Sequence, residues 1–254
     1  MKSHDSNHRI ILRTNQNLPT PRGGQDIQIA NPEFSGAHRA HIALAELGLP
    51  FEEEIIDLSV PRTKEYLAIN PRGLVPSLSY DGEIITESAI VSQFLADAHP
   101  SHLVPAPGSK DAALRRARIN FFVDTYFSKA NSSLYKLQLA KSEVEANEVA
   151  AGFIDVIAKE VEPLLKDASP YFGGSDKVTL AEVLTGSFTL RLFSFANYEL
   201  IPKSILTSLE DKAPSFYKWA QTVNSTPSVN GIYDEKNVVE RTKHRIAAMK
   251  AAQA

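Results

Sequence analysis

Glu87 and Ser88 stand immediately before an apolar run, AIVSQFLADA, so an acid and a hydroxyl meet where a helix would open. The first amides of a helix have no partner inside it and lie at the positive end of its dipole, so that position favours an anion. The Glu87 carboxylate, in turn, suits a cation. Fifteen residues upstream, Arg72 lies in the loop of NPRGLVPSL, just before Val75 and Pro76 lead into a strand, and Lys64 precedes it. Ser35, in NPEFSGAHR, opens another helical stretch, where its hydroxyl can cap the helix or donate to a negatively charged atom. Asn31 and His38 lie close to it in sequence. Together these residue types suit a small acidic peptide. Each also has a plainer use: Glu87 and Ser88 as ordinary first-turn residues, Arg72 as a solvated surface cation, Ser35 as a cap only, His38 as a packing residue.

The elements that carry these residues follow from periodicity and punctuation. Residues 1–25 are polar, end in Pro19, Pro21 and Gly23-Gly24, and are expected to be a flexible leader outside the core. Ile27 and Ile29 before Pro32 suggest a short first strand. Ala40, Ala43, Leu44 and Leu47 recur at helical spacing, and Gly48 stops that helix. PFEEEIIDLS, residues 50–59, reads as a second strand and residues 61–68 as a loop with a helical turn. PSLSY and EIIT flank Asp81-Gly82, the strongest short hairpin signal. Residues 87–97 then form a helix with Ala89, Ile90, Phe94 and Leu95 inward. The order is β-α-β-(short helix)-β-β-α.

HPSHLVPAPGS, residues 99–109, is the expected linker, and helical periodicity fills the rest: 109–135, 142–166, a helix from Val178, 214–225 and 235–251. Thr179-Leu-Ala-Glu182 fits a capping box, with Val178 and Val183 placed for a hydrophobic staple.

The totals exclude several classes. The chain has 254 residues, 43% of them hydrophobic and 22% charged, as in ordinary globular proteins. A net charge of −3 without a strongly basic segment argues against nucleic acid. No run approaches the ~20 apolar residues of a membrane span, and the Ile10–Leu12 core is too short for a secretory signal, so the cytosol is expected. There is no cysteine, which excludes disulfides, thiolate metal sites and any enzyme-borne thiol nucleophile. The seven histidines lack metal-site spacing next to acidic ligands, and no metal is expected.

INPRGLVPSL, ESAI, ALAELGLPFE and VTLAEV resemble segments of the glutathione transferase superfamily, and the likeness runs over residues 26 to 230. It implies an α/β thioredoxin-like N-terminal domain (26–98) that binds glutathione, followed by an all-helical bundle (110–254). It implies a cis bond before Pro76, with the Val75 backbone pairing the cysteinyl unit of glutathione like an added strand. The helix tip at Glu87-Ser88 would then take the γ-glutamyl carboxylate, Glu87 the neighbouring ammonium, and Arg72 the glycyl carboxylate. Ser35 fits the spacing of the serine-type classes and would donate to the glutathione thiolate, with Asn31 or His38 as alternatives.

A hydrophobic electrophile is the implied second substrate. It is expected between the NPEFSGAH loop and the first long helix, near Phe34, His38, Phe122 and Tyr126, with Phe121 and Tyr135 also spaced for an aromatic wall; core packing explains these aromatics equally well. The resemblance implies conjugation, or an addition that ends in isomerisation or elimination, with glutathione as substrate or cosubstrate. It also implies a homodimer. Without cysteine the chain cannot form the mixed disulfide on which the thiol-transferase branches depend. A non-catalytic binding or scaffolding module on the same fold is the competing reading.

Overall fold

The computed structural model describes residues 9–14, 34–58 and 60–251, except for the side chains of residues 34 and 35. The chain divides into two compact units, Met1–His99 and Pro100–Ala254.

The first unit is built on a four-stranded sheet of order β2-β1-β3-β4. Strand β1 is Ile10–Thr14, β2 is Glu52–Ile55, β3 is Ser77–Tyr80 and β4 is Glu83–Thr86. β1 runs parallel to β2 and antiparallel to β3, and β3 is antiparallel to β4. Helix α1 is Phe34–Leu47, α2 is Lys64–Ile69 and α3 is Ser88–Ala98; α1 and α3 pack against each other. This is the expected thioredoxin-like β-α-β-α-β-β-α order.

The location of the first strand corrects the sequence reading. Residues 10–14, assigned to a leader outside the core, form a central strand of the sheet, with Leu12 opposite Glu53 on one side and Leu78 on the other. Ile10, Leu12 and Thr14 are buried and Ile11 and Arg13 are not, the period of two expected of a strand. Both neighbours supply ladder hydrogen bonds, so five residues suffice where the local sequence looked too short. The strand expected at Ile27 and Ile29 lies outside the described residues.

Helix α1 ends as expected: Gly48 has φ 62°, and the Leu49 amide donates to the Leu44 carbonyl at 3.1 Å. Residues 37–44 are all buried, His38, Arg39 and His41 included. His41 Nε2 lies 2.8 Å from Glu53 Oε1, which also accepts from the Thr14 hydroxyl at 2.7 Å, so one carboxylate links α1, β2 and β1. Burial pushes the Glu53 carboxyl upward, but these two bonds and the His41 charge outweigh it and hold it below its usual range.

The hairpin turn has φ 51° at Asp81 and 92° at Gly82, the two positive values of a type I′ turn. Helix α3 departs from its expected phase. Val91, Ser92, Leu95 and Ala96 are buried, whereas Ile90 is 57% exposed. A helix face recurs at i, i+3, i+4 and i+7, and the small residues Ser92 and Ala96 complete the inner set that hydrophobicity alone put elsewhere.

In the second unit, α4 (Ala112–Thr125) passes through a π-helical turn, Tyr126–Asn131, into α5 (Ser132–Leu139). Helix α6 (Glu143–Val156) likewise runs through a π turn, Ile157–Val161, and a short 3-10 turn, Glu162–Leu165. Helices α7 (Leu180–Asn197), α8 (Ser204–Lys212), α9 (Pro214–Ser225), α10 (Pro227–Asn230) and α11 (Glu235–Ala251) follow. The sequence reading did not include α8 and α10. Leu103, in the expected linker, is buried, and its carbonyl accepts the Leu180 amide at 2.8 Å.

The capping box at α7 is formed, with Thr179 as its cap residue and Glu182 reaching back. Glu182 is fully buried and accepts four hydrogen bonds: from the Phe172 amide and Trp219 Nε1 on Oε1, and from the Thr179 amide and hydroxyl on Oε2. Burial is the larger influence and raises the Glu182 pKa despite these donors.

Candidate functional site

β3 and β4 bring the two motif segments together. Ser77 faces Thr86 in their ladder, so Pro76 and Glu87 are the next residues beyond the same end of the sheet. The Val75–Pro76 bond is cis. Glu87 has φ 68° and ψ 116°, a conformation that costs a non-glycine residue about 1–3 kcal/mol. Its carbonyl nevertheless accepts the Val91 amide at 2.8 Å, so the strained residue is the one that starts α3. Strain of this kind collects at ligand clamps.

Two elements, the loop before β3 and helix α1, converge on that helix start. Arg72, from the loop before β3, pairs with Glu87 Oε1 through Nη1 at 2.5 Å, both side chains being largely exposed. Arg39 is buried on α1 and donates from Nη1 to Ser88 Oγ at 3.1 Å. Gly36, in the first turn of α1, passes so close that an added Cβ would lie 3.1 Å from Ser88 Oγ. Two guanidiniums, one carboxylate and the free amides of α3 thus share one corner, where an anion is favoured and a neighbouring cation has a partner.

The loop carrying Arg72 and Val75 is fixed from behind. The Tyr66 hydroxyl donates to the Leu74 carbonyl at 2.5 Å and lies 3.1 Å from Ser77 Oγ. Asn70 Nδ2 donates to the same carbonyl at 2.8 Å and to Ser77 Oγ at 3.1 Å, while its Oδ1 accepts the Arg72 amide at 3.1 Å. Arg62 Nε holds the Gly73 carbonyl at 2.9 Å. Tyr66 and Asn70 are buried, and burial raises the Tyr66 pKa against the bonds to Ser77 and Asn70. Sequence reasoning missed Arg39, Tyr66 and Arg62. Their positions carry no local signal, because each acts on residues distant in the chain or on backbone carbonyls.

The remaining sequence-derived residues fall in different places. The backbones of Phe34 and Ser35 are the first two residues of α1, but their side chains, and all of Asn31, lie outside the described residues. His38 is fully buried on α1. Lys64 is exposed at the start of α2.

Phe122 and Tyr126 were expected beside a second substrate; both are 0% exposed in the helical unit, with Phe122 packed on Phe172 and Trp219 at ring distances of 4.8 and 5.4 Å. Their i, i+4 spacing sets both on the inner face of the same helical segment, which makes them core residues. Phe121, one residue away, is 61% exposed and lines an open cavity of about 300 Å³ with Arg118, Leu164 and Phe172. Among the described residues, no group of three or more His, Asp or Glu could hold a metal ion, and no helix is long and apolar enough to cross a membrane.

Comparison with known proteins meets this geometry. The sequence profile of the glutathione S-transferase N-terminal domain matches residues 35–98. A probable glutathione S-transferase of rice (Oryza sativa subsp. japonica) is 29% identical over 219 residues, 80% of this chain and 90% of the rice protein. A probable maleylacetoacetate isomerase of Caenorhabditis elegans is 32% identical over 155 residues, 57% of this chain and 68% of that protein.

Among solved structures, rice GST1 in complex with glutathione superposes with a TM-score of 0.74 at 24% identity, covering 95% of this chain and 98% of the other. Glutathione transferase Omega 1C of Trametes versicolor gives 0.74 at 23%, covering 94% and 97%. These two share the fold. With a thioredoxin-like unit, an all-helical unit and relatives of this kind, the chain belongs to the glutathione transferase superfamily.

Proposed function

We propose that the chain is an enzyme that binds glutathione at the corner of β3, β4 and α3 and adds its sulfur to a hydrophobic electrophile. The observation that carries this reading is the meeting of Val75-Pro76, Arg72, Glu87, Ser88 and Arg39 at one end of the sheet. The γ-glutamyl carboxylate sits on the first amides of α3 and the Ser88 hydroxyl, with Arg39 behind that hydroxyl adding positive potential. The ligand ammonium takes Glu87. Arg72 turns from Glu87 to the glycyl carboxylate; the exposed ion pair it leaves is worth about 0–1 kcal/mol, so the exchange is easily offset. The Val75 backbone pairs with the cysteinyl unit in the manner of an added strand.

The glutathione thiol is mostly protonated at neutral pH, and the thiolate is the nucleophile. Ser35, the second residue of α1, donates its hydroxyl hydrogen to the sulfur at the positive end of that helix, which favours the thiolate. The thiolate then attacks an electrophilic carbon. A C–S bond forms, and the displaced electron pair leaves with a departing group or moves onto an adjacent acceptor, to be protonated there or returned when sulfur is expelled in an isomerisation. The enzyme works as a homodimer in the cytosol, and sedimentation velocity checks the assembly.

Isothermal titration with glutathione tests the site: no binding at millimolar ligand removes the reading. Ultraviolet absorption of the bound thiolate tests the chemistry. Ser35→Ala is expected to abolish that absorption with affinity roughly unchanged. Undiminished absorption in the variant moves the role to Asn31, His38 or the backbone, and binding without thiolate in the unaltered protein favours a non-catalytic module.

A further inference from the structure

The hydrogen bonds behind the loop before β3 all act on one peptide group. The Leu74 carbonyl accepts two buried donors, the Tyr66 hydroxyl at 2.5 Å and Asn70 Nδ2 at 2.8 Å, which together use both of its lone pairs. Tyr66 has a single hydroxyl hydrogen and gives it to that carbonyl. The 3.1 Å contact with Ser77 Oγ is therefore a bond that Ser77 donates to the Tyr66 oxygen. Asn70 Nδ2 has a second hydrogen, which goes to Ser77 Oγ at 3.1 Å. The donations run one way, from Asn70 through Ser77 and Tyr66 to Leu74, the condition under which successive hydrogen bonds strengthen one another. Tyr66, Asn70 and Ser77 are 4%, 3% and 0% exposed, and burial raises the Tyr66 pKa, which keeps the phenol protonated as a donor.

The Leu74 carbonyl belongs to the same planar peptide group as the Val75 N–H. The bond between them is trans, so the N–H points opposite to the carbonyl, away from Tyr66 and Asn70. Two donors on the oxygen also polarise the group and make its N–H a stronger donor. Among the described residues, neither the N–H nor the carbonyl of Val75 has a hydrogen-bond partner, and Val75 is only half-buried. It lies just beyond Ser77, at the end of the sheet where Glu87 begins α3. An amide fixed and polarised in this way, with no acceptor of its own, suits a carbonyl brought by a ligand.

We propose that Tyr66 and Asn70 are positioning residues that set the plane and the donor strength of the Leu74–Val75 peptide, so that the Val75 N–H takes the cysteinyl carbonyl of glutathione. This rests on the glutathione reading above and adds to it the residues that decide recognition of that one carbonyl. Both act through the backbone, without touching the ligand.

The test compares two ligands that differ only in the carboxamide, γ-glutamylcysteinamide and γ-glutamylcysteamine, in which hydrogen replaces that group. Neither has a glycyl carboxylate, so Arg72 is left out of the comparison. Their affinities for the full chain are read calorimetrically, by displacement of bound glutathione. The unaltered protein is expected to prefer the cysteinamide about fivefold, the effect of one neutral hydrogen bond. Tyr66→Phe leaves Asn70 on the carbonyl and removes no buried carbon. It is expected to cut the preference to about twofold or less, with the affinity for the cysteamine unchanged. A purely structural Tyr66 would weaken both ligands alike, which overturns the proposal. Asn70→Ala, which leaves Tyr66 in place, carries the same test should the first variant fail to fold. Absence of glutathione binding removes the glutathione reading and this inference with it. Glutathione binding without any preference in the unaltered protein, or with a preference undiminished in either folded variant, overturns this inference alone.

Discussion

Glu182→Gln is the substitution whose cost can be worked from the geometry. The carboxylate receives four donors, two on each oxygen, at 2.7–2.8 Å. Glutamine has the same shape but a single acceptor oxygen, so its NH2 must face either the Phe172 amide and Trp219 Nε1 or the Thr179 amide and hydroxyl. The Thr179 hydroxyl can rotate and accept, which rescues one contact in the second orientation. One or two buried N–H groups are then left without acceptors, at about 1–3 kcal/mol each, and the surviving bonds lose their charge assistance. Relief of the carboxylate's desolvation, which raises its pKa, offsets part of this.

The expected net loss is about 2–5 kcal/mol, against a typical stability of about 5–15 kcal/mol. At roughly 2–4 °C per kcal/mol for a chain of this size, the melting temperature falls by roughly 5–15 °C. Trp219 is the only tryptophan in the chain and is itself one of the four donors, so urea unfolding followed by its emission reads the helical unit directly. A transition within about 1 kcal/mol of the unaltered protein would falsify the reasoning, because the four bonds would then only balance the burial of the charge.

Two further outcomes follow from the first unit. Glu53 is held below its usual pKa in the folded state, so its contribution is present above the unfolded value, near 4.5, and disappears as pH falls through the folded value. Glu53→Gln should therefore flatten the acid side of a melting-temperature profile below about pH 4.5, and unchanged acid sensitivity would count against the link from His41 and Thr14. Gly36→Ala puts a methyl group 3.1 Å from Ser88 Oγ and should weaken glutathione binding several-fold by calorimetry. Alanine is the better helix former by about 1 kcal/mol, so the fold should be retained; undiminished affinity would remove Ser88 as an anion donor.

Much of this was legible in the sequence because the signals were local. Asp81-Gly82 requires two positive φ values, Gly48 supplies the one that ends α1, and Thr179 and Glu182 satisfy each other three residues apart. The Ile10–Thr14 strand was not legible. Only three of its residues form an apolar run, and its order comes from β2 and β3, forty and more residues away. The inner face of α3 was misread because Ser92 and Ala96 are buried by close packing rather than by hydrophobicity. In the site, the pair at 87–88 announced itself as a helix start. Arg39 did not, because what distinguishes it from any other helical arginine is a contact 49 residues along the chain.

In the proposed function the hairpin acts as a ruler for glutathione. Val75-Pro76 and Glu87-Ser88 lie at its open end, and their relative height is set at the closed end by the two residues Asp81 and Gly82. A one-residue slip would slide one half of the cradle past the other by about 3.3 Å and turn every β3 side chain to the opposite face. Ser77 would leave Tyr66 and Asn70, and the loop that carries Arg72 would lose its tie to β3. On the proposed reading, a change at this solvent-facing turn disables recognition while leaving each proposed contacting residue in place in the sequence.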